Sequence, residues 1–264
     1  MVLALGHPDG SAVRLERFER FATLADFGAW LARPADWVGG FDLPFGLPRE
    51  LVLALGWPTD WAACMAHYAS FTRPQLRGLF QAFCAGRPVG GKFAHRATDG
   101  PAGASPSMKW VNPPVAWMLH AGVPLLRAAG VHLPGLADGD HRRVALEAYP
   151  GLLAREALGG RRSYKSDDPL RQTPARRQAR ADLLAGLCEG EGARRLGLRL
   201  VLPPTARAAM LDDGSGDLLD ATLCLVQAAW AQARRAAGDL RFGMPATCDP
   251  LEGWILTAPP PSLA

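Results

Sequence analysis

A short apolar segment that runs straight into an acidic residue constrains the fold of this chain more than any other feature. Trp37–Phe41 consists of apolar residues and glycine, follows a helical pattern that begins after Thr23, and leads directly into Asp42. A strand of this kind is typical of α/β proteins, where helices cover both faces of the sheet. Because such proteins place ligands at the carboxyl ends of their strands, Asp42 is the first candidate site residue. Its alternative role is to form a turn through its own backbone.

The same alternation of strand and helix patterns extends over most of the 264 residues. Two strands are predicted at 2–5 and 13–18, joined by a turn at 8–10, and a buried strand is predicted at 143–150. Helices are predicted at 24–32, 152–158, 174–189, 205–211 and 217–237, and a last short strand at 252–256. The sequence therefore predicts an α/β fold in a single domain over residues 1–264.

Residues 49–140 depart from this alternation. Helical patterns there alternate with loops rich in glycine and proline, and no strand is predicted. We expect a helical insertion into the α/β domain, or a lid over one end of the sheet. Its tryptophans, Trp57 and Trp61 among them, would suit stacking on nucleic-acid bases, and burial in a core is the alternative.

Two further acidic features lie in apolar surroundings. Glu147 lies in the strand predicted at 143–150, where a buried glutamate costs free energy unless it is paired or bound to a metal. On an edge strand it would instead be solvated. Asp213, Asp217 and Asp220 are spaced four and three residues apart at the start of a helix pattern. The first two suit a helix N-terminus, whereas Asp220 lies where the pattern is apolar nearly all round and needs a cation.

These carboxylates predict a site for a divalent cation. We expect Asp42, Glu147 and Asp220 to converge as catalytic and metal-binding residues, with Asp213 and Asp217 as further ligands. Hard oxygen ligands favour Mg²⁺ or Mn²⁺ over zinc. Two such cations about 4 Å apart suit phosphodiester hydrolysis. The motifs HExxH, GxSxG, Walker A and GxGxxG do not occur, which argues against zinc proteases, α/β-hydrolases, NTPases and dinucleotide enzymes.

The segment 155–180 concentrates positive charge. It holds eight basic and three acidic residues, so its net charge of +5 exceeds the +4 of the whole chain. A local basic patch is typical of contact with a polyanion, although a solvated helix face is an equal alternative. The residues expected to contact nucleic-acid phosphates are Arg161, Arg162, Lys165 and Arg171.

Four short segments, which include the candidate acidic residues, occur in a fixed order along the chain. They are 40–48 (GFDLPFGLP), 147–150 (EAYP), 212–221 (DDGSGDLLDA) and 252–255 (EGWI). The set resembles the bacterial and archaeal family named domain of unknown function 429, described as predicted nucleases of the ribonuclease H-like fold. The resemblance implies a mixed central sheet with flanking helices and a carboxylate site for a divalent metal. It thus implies a metal-dependent nuclease, a hydrolase, with Asp42, Glu147 and Asp220 as its acidic positions.

The resemblance also implies a missing element. Ribonuclease H-like enzymes begin with a strand that ends in an essential aspartate, whereas the strand at 2–5 resembles the second strand of that fold. We therefore expect the first strand to be absent from this sequence, because of a start codon placed too far downstream or a lost ligand. The alternative function is a catalytically inactive binding module of the same fold.

The composition bears on the compartment. The most apolar stretches, 111–136 and 218–237, are broken by proline or by polar residues, so no membrane span is expected. The first ten residues lack a basic region, so no secretory signal is expected there. Five scattered cysteines without a CxxC pair predict reduced thiols and a cytoplasmic protein.

Overall fold

Strands and helices alternate along the chain, and the computed structural model describes them over residues 1–260. The strands are β1 (Val2–Asp9), β2 (Ala12–Arg20), β3 (Trp37–Phe41), β4 (Val131–His132), β5 (Asp140–Glu147) and β6 (Arg199–Val201). The helices are α1 (Leu24–Leu31), α2 (Arg49–Ala54), α3 (Trp61–Ser70), α4 (Arg73–Ala85), α5 (Asp99–Ala102), α6 (Val115–Ala128), α7 (Pro150–Ala157), α8 (Pro174–Glu189), α9 (Pro204–Asp212) and α10 (Asp217–Ala236). The predicted α/β class is confirmed.

The strands form two sheets, and not the one central sheet that the family resemblance implies. The first has the order β1-β2-β6, with β1 and β2 antiparallel and β6 parallel to β2. The second has the order β3-β5-β4 and is parallel throughout. The sheets remain separate because β1 and β3, an edge strand of each, do not pair with one another within residues 1–260. Helix α10 packs against both of these strands.

A groove of about 1100 Å³ lies between the facing edges of β1 and β3. Ala221, Cys224 and Leu225 of α10 line it, as do Phe27 and Trp30 of α1. The groove therefore combines apolar side chains with the backbone of two strands that lack a neighbour on this edge among the described residues.

The segment 49–140 is helical as expected, except for the short strand β4 at its end. Its helices bury one large apolar cluster, in which Trp57 and Trp61 are almost wholly buried. The indole of Trp61 donates to the Phe45 carbonyl at 2.7 Å. The idea that these two tryptophans stack on bases is therefore wrong, because both belong to the protein core.

One predicted strand is absent, and β6 is an observed strand that was not predicted, each for a local reason. Residues 252–256 form a loop, because Gly253 adopts φ +73° and interrupts the extended backbone. One backbone hydrogen bond, from Leu256 to the Glu147 carbonyl, joins this loop to the end of β5. Strand β6 was not predicted, because its three residues are too few to show a period.

None of the helices in residues 1–260 combines the length and apolar character needed to span a bilayer.

Candidate functional site

Asp42 and Asp220 face each other from two elements that pack closely. Asp42 directly follows β3, and Asp220 lies in the first turn of α10. A Cβ atom on Gly40 would lie 2.7 Å from the Cys224 carbonyl oxygen, so only glycine permits this close approach of β3 to α10. Burial and then the nearby charge of Asp220 raise the pKa of Asp42 from its ordinary 3.8 to about 7. The two carboxylates are therefore near enough for the charge of Asp220 to change the pKa of Asp42.

The carboxylate of Asp220 has two donors in consecutive residues. The hydroxyl of Tyr164 donates to Oδ1 at 2.5 Å, and the ammonium of Lys165 donates to Oδ2. Burial raises the pKa of Asp220, although both partners lower it. Burial would lower the pKa of Lys165, but Asp220 and Asp42 raise it above its ordinary value. Lys165, which we expected to contact phosphate, therefore lies beside Asp220 as a charged partner.

Glu147 has a cationic partner that the sequence did not indicate. Its two carboxylate oxygens each accept from the guanidinium of Arg96 at 2.7 Å. Arg96 also donates to Asp99 at 2.9 Å, and all three side chains are shielded from solvent. Burial raises the pKa of Glu147 against the opposing effect of Arg96. Because Arg96 remains protonated, Glu147 forms a buried ion pair and not an open ligand position.

The same ion pair holds the turn that follows Asp42. Oε2 of Glu147 accepts from the backbone N–H of Phe45 at 2.9 Å. Glu252 accepts from the N–H of Arg49 at 2.7 Å, and its carbonyl accepts from Arg96 at 3.0 Å. Three of the four segments on which the family resemblance is based, 40–48, 147–150 and 252–255, thus belong to one hydrogen-bonded network around this turn.

Asp213 and Asp217 have different surroundings. The oxygens of Asp213 accept from the Ser215 hydroxyl at 2.7 Å and from the Leu218 N–H at 2.8 Å, so its carboxylate fixes the start of α10. Asp217 is exposed, and its charge contributes to the raised pKa of Asp220. The structure thus groups Asp42, Asp217 and Asp220 around one lysine, while Asp213 has a capping role.

The fit of these residues to a divalent cation can be tested on their contacts. Among residues 1–260, the oxygens of Asp42, Glu147 and Asp220 do not all lie within 4.8 Å of one another. Asp42 accepts no side-chain hydrogen bond from a described residue and carries a charge that burial disfavours. Asp42 and Asp220 therefore fit a cation, provided that Lys165 moves away from Asp220. Glu147 does not fit, because Arg96 occupies both of its oxygens.

A cleft of about 680 Å³ opens beside these carboxylates. Asp42 and Glu147 line it, and its basic lining residues include Arg155, Arg161, Arg162 and Lys165. Arg162 pairs with Asp182 at 2.8 Å, whereas Arg161 has no acidic partner among the described residues. Arg171 pairs with Asp168 at 3.4 Å and does not line the cleft. Three of the four residues expected to contact nucleic acid thus lie around one cleft.

No family model, curated protein or solved structure matches this chain. The resemblance to domain of unknown function 429 therefore stays a prediction, and function has to be argued from the geometry of the carboxylates and the cleft.

Proposed function

We propose that this protein is a metal-dependent phosphodiesterase acting on nucleic acid, with Asp42 and Asp220 as the ligands of one divalent cation. One observation carries the proposal. Asp42 lines the cleft beside the buried Asp220 and has no hydrogen-bonded or ion-paired side-chain partner among the described residues, and burial and the charge of Asp220 raise its pKa to about 7. A buried anion without a partner is stabilised by a cation.

The cleft matches the charge pattern of a phosphodiester substrate. When bound, Mg²⁺ or Mn²⁺ would supply positive charge to the phosphoryl oxygens during hydrolysis. Arg161 and Arg162 lie at the cleft, where they can attract and orient the nucleic-acid backbone. Lys165 neutralises Asp220 in the metal-free protein. When a metal ion binds Asp220, Lys165 would be free to contact the substrate phosphate. Glu147 would not contact the metal or the substrate; it positions Asp42 by fixing the turn that follows it.

The fold proposed for this enzyme is ribonuclease H-like. Support comes from the groove between β1 and β3, where two strand edges face each other across about 1100 Å³ and α10 packs against both strands. A further strand placed in this groove would have a strand edge on either side. A strand inserted there would join the two three-stranded sheets into one.

A second candidate function is a catalytically inactive module that binds nucleic acid. The specific observation in its favour is that Glu147 and Asp220 already have cationic partners, Arg96 and Lys165. In this protein the two side chains would replace the charge of bound metal, and the cleft would bind a phosphate backbone without cleaving it.

Cleavage and binding assays separate the two candidates. Fluorescent single-stranded and double-stranded DNA and RNA oligonucleotides are incubated with the protein and Mg²⁺ or Mn²⁺. For a phosphodiesterase, Asp42→Asn and Asp220→Asn abolish cleavage while binding persists. Asp167→Asn, which removes the same charge from an exposed residue at the cleft, retains cleavage.

The remaining outcomes are equally informative. Binding that is weakened by salt but accompanied by no cleavage with either metal would support the inactive module. Failure to bind any of the oligonucleotides at low salt would refute both candidates, because phosphate attraction is common to them.

A further inference from the structure

A second group of possible metal ligands lies away from the carboxylates. It comprises His132 on β4, His141 on β5 and Asp138 in the loop between the strands. One ligand atom from each lies within 4.8 Å of the others. Oδ1 of Asp138 is 2.8 Å from Nε2 of His141 and 3.2 Å from Nδ1 of His132. The two imidazole rings are 4.0 Å apart between centroids.

The backbone of this loop brings the three side chains together. β4 and β5 are parallel neighbours, so His132 and His141 belong to adjacent strands. A Cβ atom on Gly139 would lie 2.5 Å from the Val131 carbonyl oxygen, so glycine is required for the chain to return this closely to β4. The Asp140 N–H then donates to the Gly130 carbonyl at 2.9 Å. This hydrogen-bonded turn fixes the backbone from which the three side chains extend.

We propose that His132, Asp138 and His141 bind a zinc ion. Two imidazole nitrogens and one carboxylate oxygen form the donor set that borderline divalent cations prefer, and zinc accepts three protein ligands with an open fourth position. Asp138 and His141 are exposed, so the fourth position faces solvent and can hold water or another small ligand.

The state of His132 supports binding. Its Nδ1 atom is shielded from solvent and has no hydrogen-bond partner among the described residues, because the contact with Asp138 lies outside hydrogen-bond geometry. An orphaned buried nitrogen costs free energy, and coordination would remove this cost.

This site is separate from the carboxylate cleft. His141 is the second residue of β5 and Glu147 is the last, so the two lie six residues apart along one strand. At a rise of about 3.3 Å per residue, they are separated by about 20 Å. The donor sets also differ, since nitrogen ligands favour zinc and the aspartates of the cleft favour Mg²⁺.

Zinc titration of the full chain tests the proposal. Isothermal titration calorimetry at pH 7.5 is expected to show one Zn²⁺ per chain, and Co²⁺ is expected to give the visible absorption of a tetrahedral site. His141→Ala and Asp138→Asn each change an exposed side chain and should lower zinc affinity at least about tenfold. Circular dichroism of both variants establishes that they are folded.

Two matched variants complete the design. His7→Ala removes an exposed histidine that also lies 2.7 Å from an acidic side chain, Glu16, and should leave zinc affinity unchanged. Asp42→Asn should leave it unchanged as well, which keeps this proposal distinguishable from the proposed phosphodiesterase. Zinc affinity that is equal in the parent, His141→Ala and Asp138→Asn proteins would overturn the site, as would the absence of binding at micromolar zinc.

Discussion

Replacing Asp42 with asparagine should stabilise the protein at neutral and alkaline pH. The pKa of Asp42 is raised from 3.8 to about 7, first by burial and then by Asp220. Below pH 3.8 the carboxyl is protonated in both the folded and the unfolded chain, and its raised pKa has no cost. As the pH rises, the unfolded chain ionises first, so the free energy of unfolding decreases until about pH 7.

The size of this effect follows from the two pKa values. At 1.36 kcal/mol for each pH unit, the difference between 3.8 and about 7 corresponds to about 4 kcal/mol. Because Asp42 keeps some solvent exposure, this figure is an upper limit. Asparagine has nearly the same shape and no charge, so Asp42→Asn should recover most of the loss.

Urea denaturation between pH 4 and pH 8 measures the effect. At pH 8 the Asp42→Asn variant should exceed the parent protein by up to about 4 kcal/mol, or about 10 °C in Tm, and the two should be equal near pH 4. Asp167→Asn serves as the exposed control and should follow the parent. Millimolar Mg²⁺ should raise the stability of the parent at pH 8 more than that of the Asp42→Asn variant. The reasoning is refuted if Asp42→Asn retains the pH dependence of the parent or is less stable at pH 8.

Three more substitutions address the cations. Lys165→Met should lower the Tm in metal-free buffer and enlarge the Tm gain from Mg²⁺, and an equal gain in both proteins would contradict competition at this position. Arg96→Met should lower the free energy of unfolding, measured in urea, by about 3–5 kcal/mol. This loss should exceed that of Glu147→Gln, because Arg96→Met leaves two buried carboxylates, Asp99 and Glu147, without their cationic partner. Arg161→Ser should weaken oligonucleotide binding, measured by fluorescence anisotropy, and should reduce the slope of log affinity against log salt concentration by about one. Arg171→Ser, which lies outside the cleft, should change the affinity and the slope little.

Local patterns predicted the elements better than their assembly. The bounds of β3 and α8 match the prediction, because an apolar run and a capped helical period are properties of neighbouring residues. Strand pairing is not such a property, and nothing in the sequence of β1 or β3 indicates that their edges remain apart. Residues 252–256 have an apolar composition suited to a strand, but the left-handed Gly253 makes them a loop.

The acids of the site were predictable and most of their partners were not. Burial of Glu147 and Asp220 follows from apolar surroundings in sequence, and such acids require a cation. Arg96 lies 51 residues before Glu147 in a loop without a periodic pattern, so the sequence does not indicate which cation is used. Its spacing of three residues from Asp99 is the single local signal of a paired arginine.

The charge of this network bears on how many metal ions the cleft can accept. In the metal-free protein, the carboxylates of Asp42, Asp99, Glu147 and Asp220 and the two cationic side chains among them, Arg96 and Lys165, carry a formal charge of −2. One divalent cation neutralises this set, whereas a second would leave an excess of positive charge in a partly desolvated place, even after Lys165 has moved away from Asp220. The sequence alone suggested two cations about 4 Å apart, bridged by several carboxylates. With Arg96 fixed on both oxygens of Glu147, the carboxylates open to metal are Asp42, which has no ion-paired or hydrogen-bonding side-chain partner in residues 1–260, and Asp220 once Lys165 moves away, and these two favour a single ion.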